Sequence, residues 1–129
     1  MIVVDASAVA ELLLETSKGA AVARRLRGNA LHAPAHFDVE VASVIRRAIA
    51  RELISDRDGL IAIAEFQRLA IRRWDVPPLI DRAFALRASH TIADAVYLAL
   101  AEGLACPLLT CNERLARSHG HIVDIQLPE

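Results

Sequence analysis

Apolar residues fall along this chain in two alternating rhythms. Short runs at 1–4, 31–33, 74–76, 107–110 and 122–125 are compact, aliphatic or β-branched, and read as strands. Between them apolar positions return every three or four residues, the spacing of helices with one covered face. This predicts helices over 6–14, 18–27, 34 to about 53, roughly 56–73, about 79–88, 92–103 and 112–118. Punctuation supports the division. Gly28-Asn29 stops the second helix, Pro34 opens the third, and Ser55-Asp56-Arg57-Asp58 has the form of a capping box. Pro77-Pro78 closes a strand, and Gly103 fits a helix C-terminal cap. Residues 92–101 are apolar on nearly every side, the pattern of a helix covered all round, apart from Asp94 in its first turn and Tyr97.

Strands and helices alternate, without repeat, linker or low-complexity segment. The expectation is one α/β domain with a mainly parallel sheet of about four to five short strands flanked by helices. Parallel strands need crossover connections, and the predicted helices supply them. Ligands in such sheets bind outside the carboxyl ends of the strands. Asp5 and the segment 110–112 each follow a strand and therefore belong to that edge.

Composition sharpens the picture of the core. Of the 129 residues, 54% are hydrophobic and only 4% aromatic, so the core is aliphatic. So high an apolar fraction in one small domain also implies a hidden subunit face. The formal net charge is −1, which by itself does not mark a nucleic-acid binder; distribution matters more. Fourteen of the fifteen basic residues are Arg, the side chain suited to bidentate phosphate or carboxylate contact, though a GC-rich coding sequence produces the same bias. The first residues lack the basic lead of a signal peptide, and Asp5 and Glu11 interrupt their apolar run. No stretch reaches the roughly 20 clean apolar residues of a membrane span, so a cytoplasmic protein with no membrane partner is expected. Cys106 and Cys111 have neither redox nor zinc spacing and are expected as buried thiols. His119 and His121 lie on a late loop with no partner motif.

The acids carry the chemistry. On a wheel of about 100° per residue, Phe37, Val41, Val44, Ile45 and Ala48 form one stripe, and Glu40 lies on its flank with Arg47 and Arg51 further along. Glu40 is either a boundary acid paired with arginine or part of a site. Asp94 follows Thr91 at capping distance, near the positive end of a helix dipole. Asp5 has the position of an N-cap. Residues 110–113 form another cap-like tetrad, with Asn112 near a helix start. Each is explicable singly. If they converge, two carboxylates at about 4 Å repel by about 4 kcal/mol at an effective dielectric near 20, and a cation is needed to keep both ionised. Hard oxygen donors suit Mg²⁺ or Mn²⁺. Arg47 and Arg51 are either solvated or acid-paired arginines or contacts to a phosphate group.

The arrangement resembles the PIN domain, and within it the VapC-type toxins of toxin–antitoxin pairs, over essentially the whole of 1–129. The carriers are the opening IVVDASA, FDVEVASVIRRA around Glu40, IADAVYLALAEG around Asp94 and LLTCNERLA near the end. The resemblance implies a metal-dependent endoribonuclease with Asp5, Glu40 and Asp94 as the acidic triad around Mg²⁺ or Mn²⁺. Ser7 matches the small hydroxyl residue after the first Asp, and Thr110 the hydroxyl before the last motif. The fourth acidic position falls at Asn112, an amide that coordinates through oxygen without charge, with Glu113 beside it as an alternative donor or a helix cap. It further implies RNA hydrolysis leaving 5′-phosphate and 3′-hydroxyl ends, a homodimer, and a VapB-type antitoxin whose C-terminal segment lies in an apolar groove.

Two other readings remain open at this level. An aspartate-nucleophile phosphatase also begins with strand-Asp-x, but wants a second acid where Ser7 stands. A catalytically weakened PIN-fold binding protein would take Asn112 as its sign of decay.

Overall fold

The computed structural model describes residues 1–128. Strand β1 (Ile2–Val4) is buried at all three positions, the condition of a parallel strand covered on both faces. It pairs in parallel with β2 (Leu31–Pro34) on one side and β4 (Leu108–Leu109) on the other. Strand β3 (Ile71–Trp74) extends the sheet beyond β2, and β5 (Ile125–Gln126) beyond β4, again in parallel. The resulting order is β3-β2-β1-β4-β5.

Helices α1 (Ala6–Leu13) and α2 (Ser17–Leu26) connect β1 to β2; α3 (Phe37–Ala50) and α4 (Asp56–Arg68) connect β2 to β3. A 3₁₀ turn (Pro77–Leu79), α5 (Ile80–Ala85) and α6 (Ile92–Leu104) lead to β4, and the short α7 (Glu113–Ala116) leads to β5. The chain thus winds outward from β1 to β3, then returns to the opposite flank of β1. Between β1 and β4 the order reverses, and a crevice opens at the carboxyl ends of two such strands. The register sets Val4 beside Leu109, so the next residues, Asp5 and Thr110, emerge together at that crevice.

Helix α6 packs across β1, β2 and β4, and all seven residues from Ala95 to Ala101 are buried. That is why it is apolar around its circumference. Among the described residues no helix is long and apolar enough to cross a membrane.

The strand–helix alternation is as expected, but several boundaries differ. Pro34 ends β2 instead of opening α3; the next amide, Ala35, completes the sheet by donating to the Trp74 carbonyl at 2.8 Å. Helix α4 stops at Arg68, because Leu69 turns to an extended conformation and Ile71 enters the sheet beside Leu31. Strand β3 therefore begins three residues before the expected 74–76 and overlaps it only at Trp74. The helix expected over 79–88 is shortened to α5 behind a 3₁₀ turn. Gly103 lies inside α6, whose end is made by Ala105 in the left-handed conformation at φ 50°. α7 covers only Glu113–Ala116 of the expected 112–118, and β5 is Ile125–Gln126, which meets the expected 122–125 only at Ile125. Cys106 and Cys111 are free thiols, and both are half-buried, not fully buried. Burial pushes the Cys111 thiol up to about 11, assisted by nearby Glu11 and Asp5.

Candidate active site

Asp5 leaves β1 with an extended backbone and caps α1, its Oδ1 accepting from the Ala8 amide at 3.1 Å. The same oxygen accepts from the Ser7 hydroxyl at 2.7 Å, and Oδ2 accepts from the Thr110 hydroxyl at 2.5 Å. Thr110 is fully buried at the end of β4, and its own oxygen accepts from the Asn112 amide at 3.0 Å. Asp5 is only 6% exposed. Burial raises its carboxyl above the ordinary range; the Thr110, Ser7 and Ala8 hydrogen bonds work in the other direction, and the neighbouring Asp94 charge raises it further. A dry, hydrogen-bonded carboxylate facing another acid is the environment a cation would relieve.

Glu40 lies in the first turns of α3, whose buried face is Phe37, Val41, Ile45 and Ala48. Val44, expected in that stripe, is only half-buried and stands on a cavity wall. Across the gap, the Tyr97 hydroxyl of α6 donates to Glu40 Oε1 at 2.6 Å. Burial, with Glu40 next, pushes the Tyr97 phenol far above its ordinary value, so it remains a donor. One turn before Glu40, His36 brings Nε2 to 3.4 Å from the same carboxylate and 3.2 Å from the Ala93 carbonyl.

Asp94 is the third residue of α6. Thr91 caps that helix by accepting from the Asp94 amide at 3.2 Å, so both ends of the expected box are present but only this bond forms. The Asp94 side chain is left for other partners, and Arg114 of α7 reaches its Oδ2 at 3.6 Å. Asn112 caps α7 through Oδ1, which accepts from the Arg114 and Leu115 amides at 3.0 and 3.3 Å.

Asp5, Glu40, Asp94 and Asn112 line one cavity of about 430 Å³ at the β1–β4 crevice, together with Ser7, Ser43, Arg47 and Tyr97. Thr110 supports Asp5 from behind, outside the lining. Arg51 is the exposed C-cap of α3, a turn beyond Arg47 and away from this wall. Glu113 faces elsewhere, pairing with Arg117 at 3.8 Å. His36 and Ser43 were not singled out by sequence; His36 stands four residues before Glu40, one helical turn, and that spacing was its only signal.

Among the described residues no group of three or more His, Cys, Asp or Glu is arranged to hold a metal ion as it stands. The carboxylates have other engagements: Asp5 is tied to three donors, Glu40 to Tyr97 and Asp94 to Arg114. The donor chemistry nonetheless fits a hard divalent ion, with three carboxylates and an amide oxygen on one wall and no thiolate or imidazole set among them.

A family model described as the PIN domain matches residues 2–119. The chain therefore belongs to the PIN-domain family. Its relatives place it among the VapC-type ribonuclease toxins. It is 59% identical to Ribonuclease VapC12 of Mycobacterium tuberculosis over 127 residues, 98% of each chain. It is 41% identical to Ribonuclease VapC9 of the same organism over 117 residues, 90% of this chain and 89% of that one. In fold it resembles M. tuberculosis VapC20, a sarcin-ricin loop cleaving toxin, with a TM-score of 0.63 at 16% identity over 86% of this chain and 88% of that one. A toxin–antitoxin complex from Klebsiella pneumoniae aligns with a TM-score of 0.65 at 16% identity over 100% and 98% of the two chains.

Proposed function

We propose that this ribonuclease cleaves RNA by divalent-cation-assisted hydrolysis in the acidic cavity, with Asp5, Glu40 and Asp94 as ligands and the Asn112 amide as a further oxygen donor. The observation that carries the reading is that three carboxylates from distant segments line one cavity at the β1–β4 crevice. Mg²⁺ or Mn²⁺ bound there supplies an activated water and neutralises charge on the phosphodiester as it reacts. Water oxygen bonds to phosphorus and the bond to the ribose 3′ oxygen breaks, leaving 5′-phosphate and 3′-hydroxyl ends. Ser7 and Thr110 hold Asp5 in one orientation. Arg47 meets the RNA backbone at the cavity rim, and Arg51 extends that cationic flank toward solvent.

The resemblance to VapC toxins supports a biological pairing with a VapB-type antitoxin that restrains this activity, and a homodimer as the working assembly in the cytoplasm. The exposed apolar side chains Leu53, Leu60, Ile61 and Phe84 supply surface for such contacts.

The test is cleavage of total bacterial RNA by purified protein with Mn²⁺, with Mg²⁺ and with EDTA. Fragments should appear only with the cations and should ligate to adapters that demand a 5′-phosphate. Cleavage that persists in EDTA, or 5′-hydroxyl products, would sink the metal-hydrolysis reading. Antitoxin binding without any cleavage would favour the weakened binding protein instead.

A further inference from the structure

A second cavity, of about 360 Å³, adjoins the acidic one and shares Asp94 with it. Its volume falls within the range of ligand pockets, roughly 300–1,000 Å³. Its character is opposite. Arg87 comes from the segment between α5 and α6, Arg114 from α7, and His90 and Thr91 from the start of α6.

The two guanidiniums are positioned but not saturated. Arg87 donates from Nη1 to the Phe84 carbonyl at 3.0 Å and stacks over the Phe84 ring at 4.6 Å. That fixes its plane while leaving donors uncommitted. Arg114 has one long ion pair, 3.6 Å to Asp94, and its side chain is 77% exposed. The pair also offsets the Asp94 charge that would otherwise repel an anion from this wall. Thr91 ends the cavity at the N-terminus of a thirteen-residue helix and satisfies only the Asp94 amide, so the positive end of the α6 dipole reinforces the arginines. Two arginines and a helix N-terminus around one hollow make an anion site, and its shared wall puts the anion beside the acidic centre.

We propose that this second cavity is a subsite for the RNA backbone phosphate adjacent to the scissile one, gripped by Arg87 and Arg114 at the N-terminus of α6. The proposal rests on the ribonuclease reading above. It gives the substrate a path: Arg47 meets the strand on the α3 side of the acids, and the arginine pair meets it on the α7 side.

The experiment is fluorescence anisotropy with a short, labelled, mixed-sequence single-stranded RNA across a salt series, with Ca²⁺ in place of Mg²⁺. Cleavage in Mn²⁺ is scored separately. For single strands, each phosphate that the protein no longer neutralises lowers the slope of log K against log salt by about 0.7. The Arg87→Ala/Arg114→Ala double variant should lose about 0.7 in all, because both cations meet one phosphate. Arg114→Lys should retain the slope. Arg57→Ala, at an exposed position of α4 outside both cavities, should leave it unchanged. An unchanged slope in the double variant, or an equal loss in Arg57→Ala, would overturn the subsite while cleavage by the wild type still stood. A wild type that neither bound nor cleaved RNA would overturn both proposals.

Discussion

Tyr97 and Glu40, fifty-seven positions apart, meet through one hydrogen bond of 2.6 Å that joins α6 to α3 at the rim of the acidic cavity. Tyr97 is buried but for 2% of its surface, so its hydroxyl is an interior donor aimed at a carboxylate that is still partly in water. It therefore orients a prospective metal ligand. Outer partners of this kind change metal affinity or activity by about 10–100-fold when removed. Tyr97→Phe keeps the ring packing and removes only the hydroxyl. Its expected result is a loss of Mn²⁺ affinity in that range, read as a weaker Mn²⁺-induced rise in melting temperature. The fold cost stays near 1 kcal/mol, because water can replace the donor at Glu40. An unaltered Mn²⁺ titration would remove Tyr97 from this role.

Asp5 links the site to pH. Its folded-state pKa is raised above the ordinary 3.8, chiefly by burial. Between 3.8 and the raised value the folded chain binds more protons than the unfolded chain, so its contribution to stability declines as pH rises through that window. Above the window the ionised, buried carboxylate remains a cost. Metal-free Asp5→Asn should therefore melt higher than the wild type at neutral pH, and the gap should close on acidification. Glu102, held low by Arg82, has the opposite slope in both proteins and cancels from the difference. The variant should also lose cleavage by at least about a hundredfold. Parallel melting profiles for the two proteins would contradict this account.

Thr110 bridges the two strands at the crevice. Its hydroxyl donates to Asp5 and accepts from the Asn112 amide, with no exposed surface. Thr110→Val preserves shape but strands a buried carboxylate oxygen and a backbone amide. Each such orphan costs about 1–3 kcal/mol. The expected outcome is a destabilised protein by denaturant titration, with Thr110→Ser recovering most of the loss. Equal losses in Ser and Val variants would show that the methyl group, not the hydroxyl, matters here.

How much of this was legible in the sequence depends on the distance between partners. The caps at Asp5, Thr91 and Asn112 are local, each spanning two or three residues, and their side chains announce them. The parallel sheet was legible because β1 and β4 are apolar throughout. The start of β3 was not, because Arg72 and Arg73 are exposed on an edge strand: Arg72 covers Trp74, while Arg73 lies over the Phe37 and Phe66 rings and forms a two-pronged pair with Asp38 at 2.9 and 3.0 Å. Phe66, Leu69 and Ala70 meanwhile prolong the helical spacing past the true end of α4. The sequence offered Glu40 and Asp94 as separate acids, but not their partners. Tyr97 and Arg114 reach them only because α3, α6 and α7 converge, and no periodicity encodes that.

Asn112 is the clearest departure from an all-acid site, and its amide oxygen already has work as the cap of α7. A carboxylate caps equally well and is favoured near a helix N-terminus, so Asn112→Asp should leave α7 in place. It also adds a fourth negative charge to the wall shared by Asp5, Glu40 and Asp94. Without metal that charge adds repulsion, of the order of a few kcal/mol at about 4 Å and an effective dielectric near 20, and less where water enters. The variant should melt lower than the wild type in EDTA and gain more on addition of Mn²⁺, since stabilisation grows with affinity at fixed metal concentration. Asn112→Ala, losing the cap alone, should cost about 1 kcal/mol with or without Mn²⁺. If Asn112→Asp shifted equally in EDTA and Mn²⁺, position 112 would act solely as a helix cap, and the cation would be held by the three acids without it.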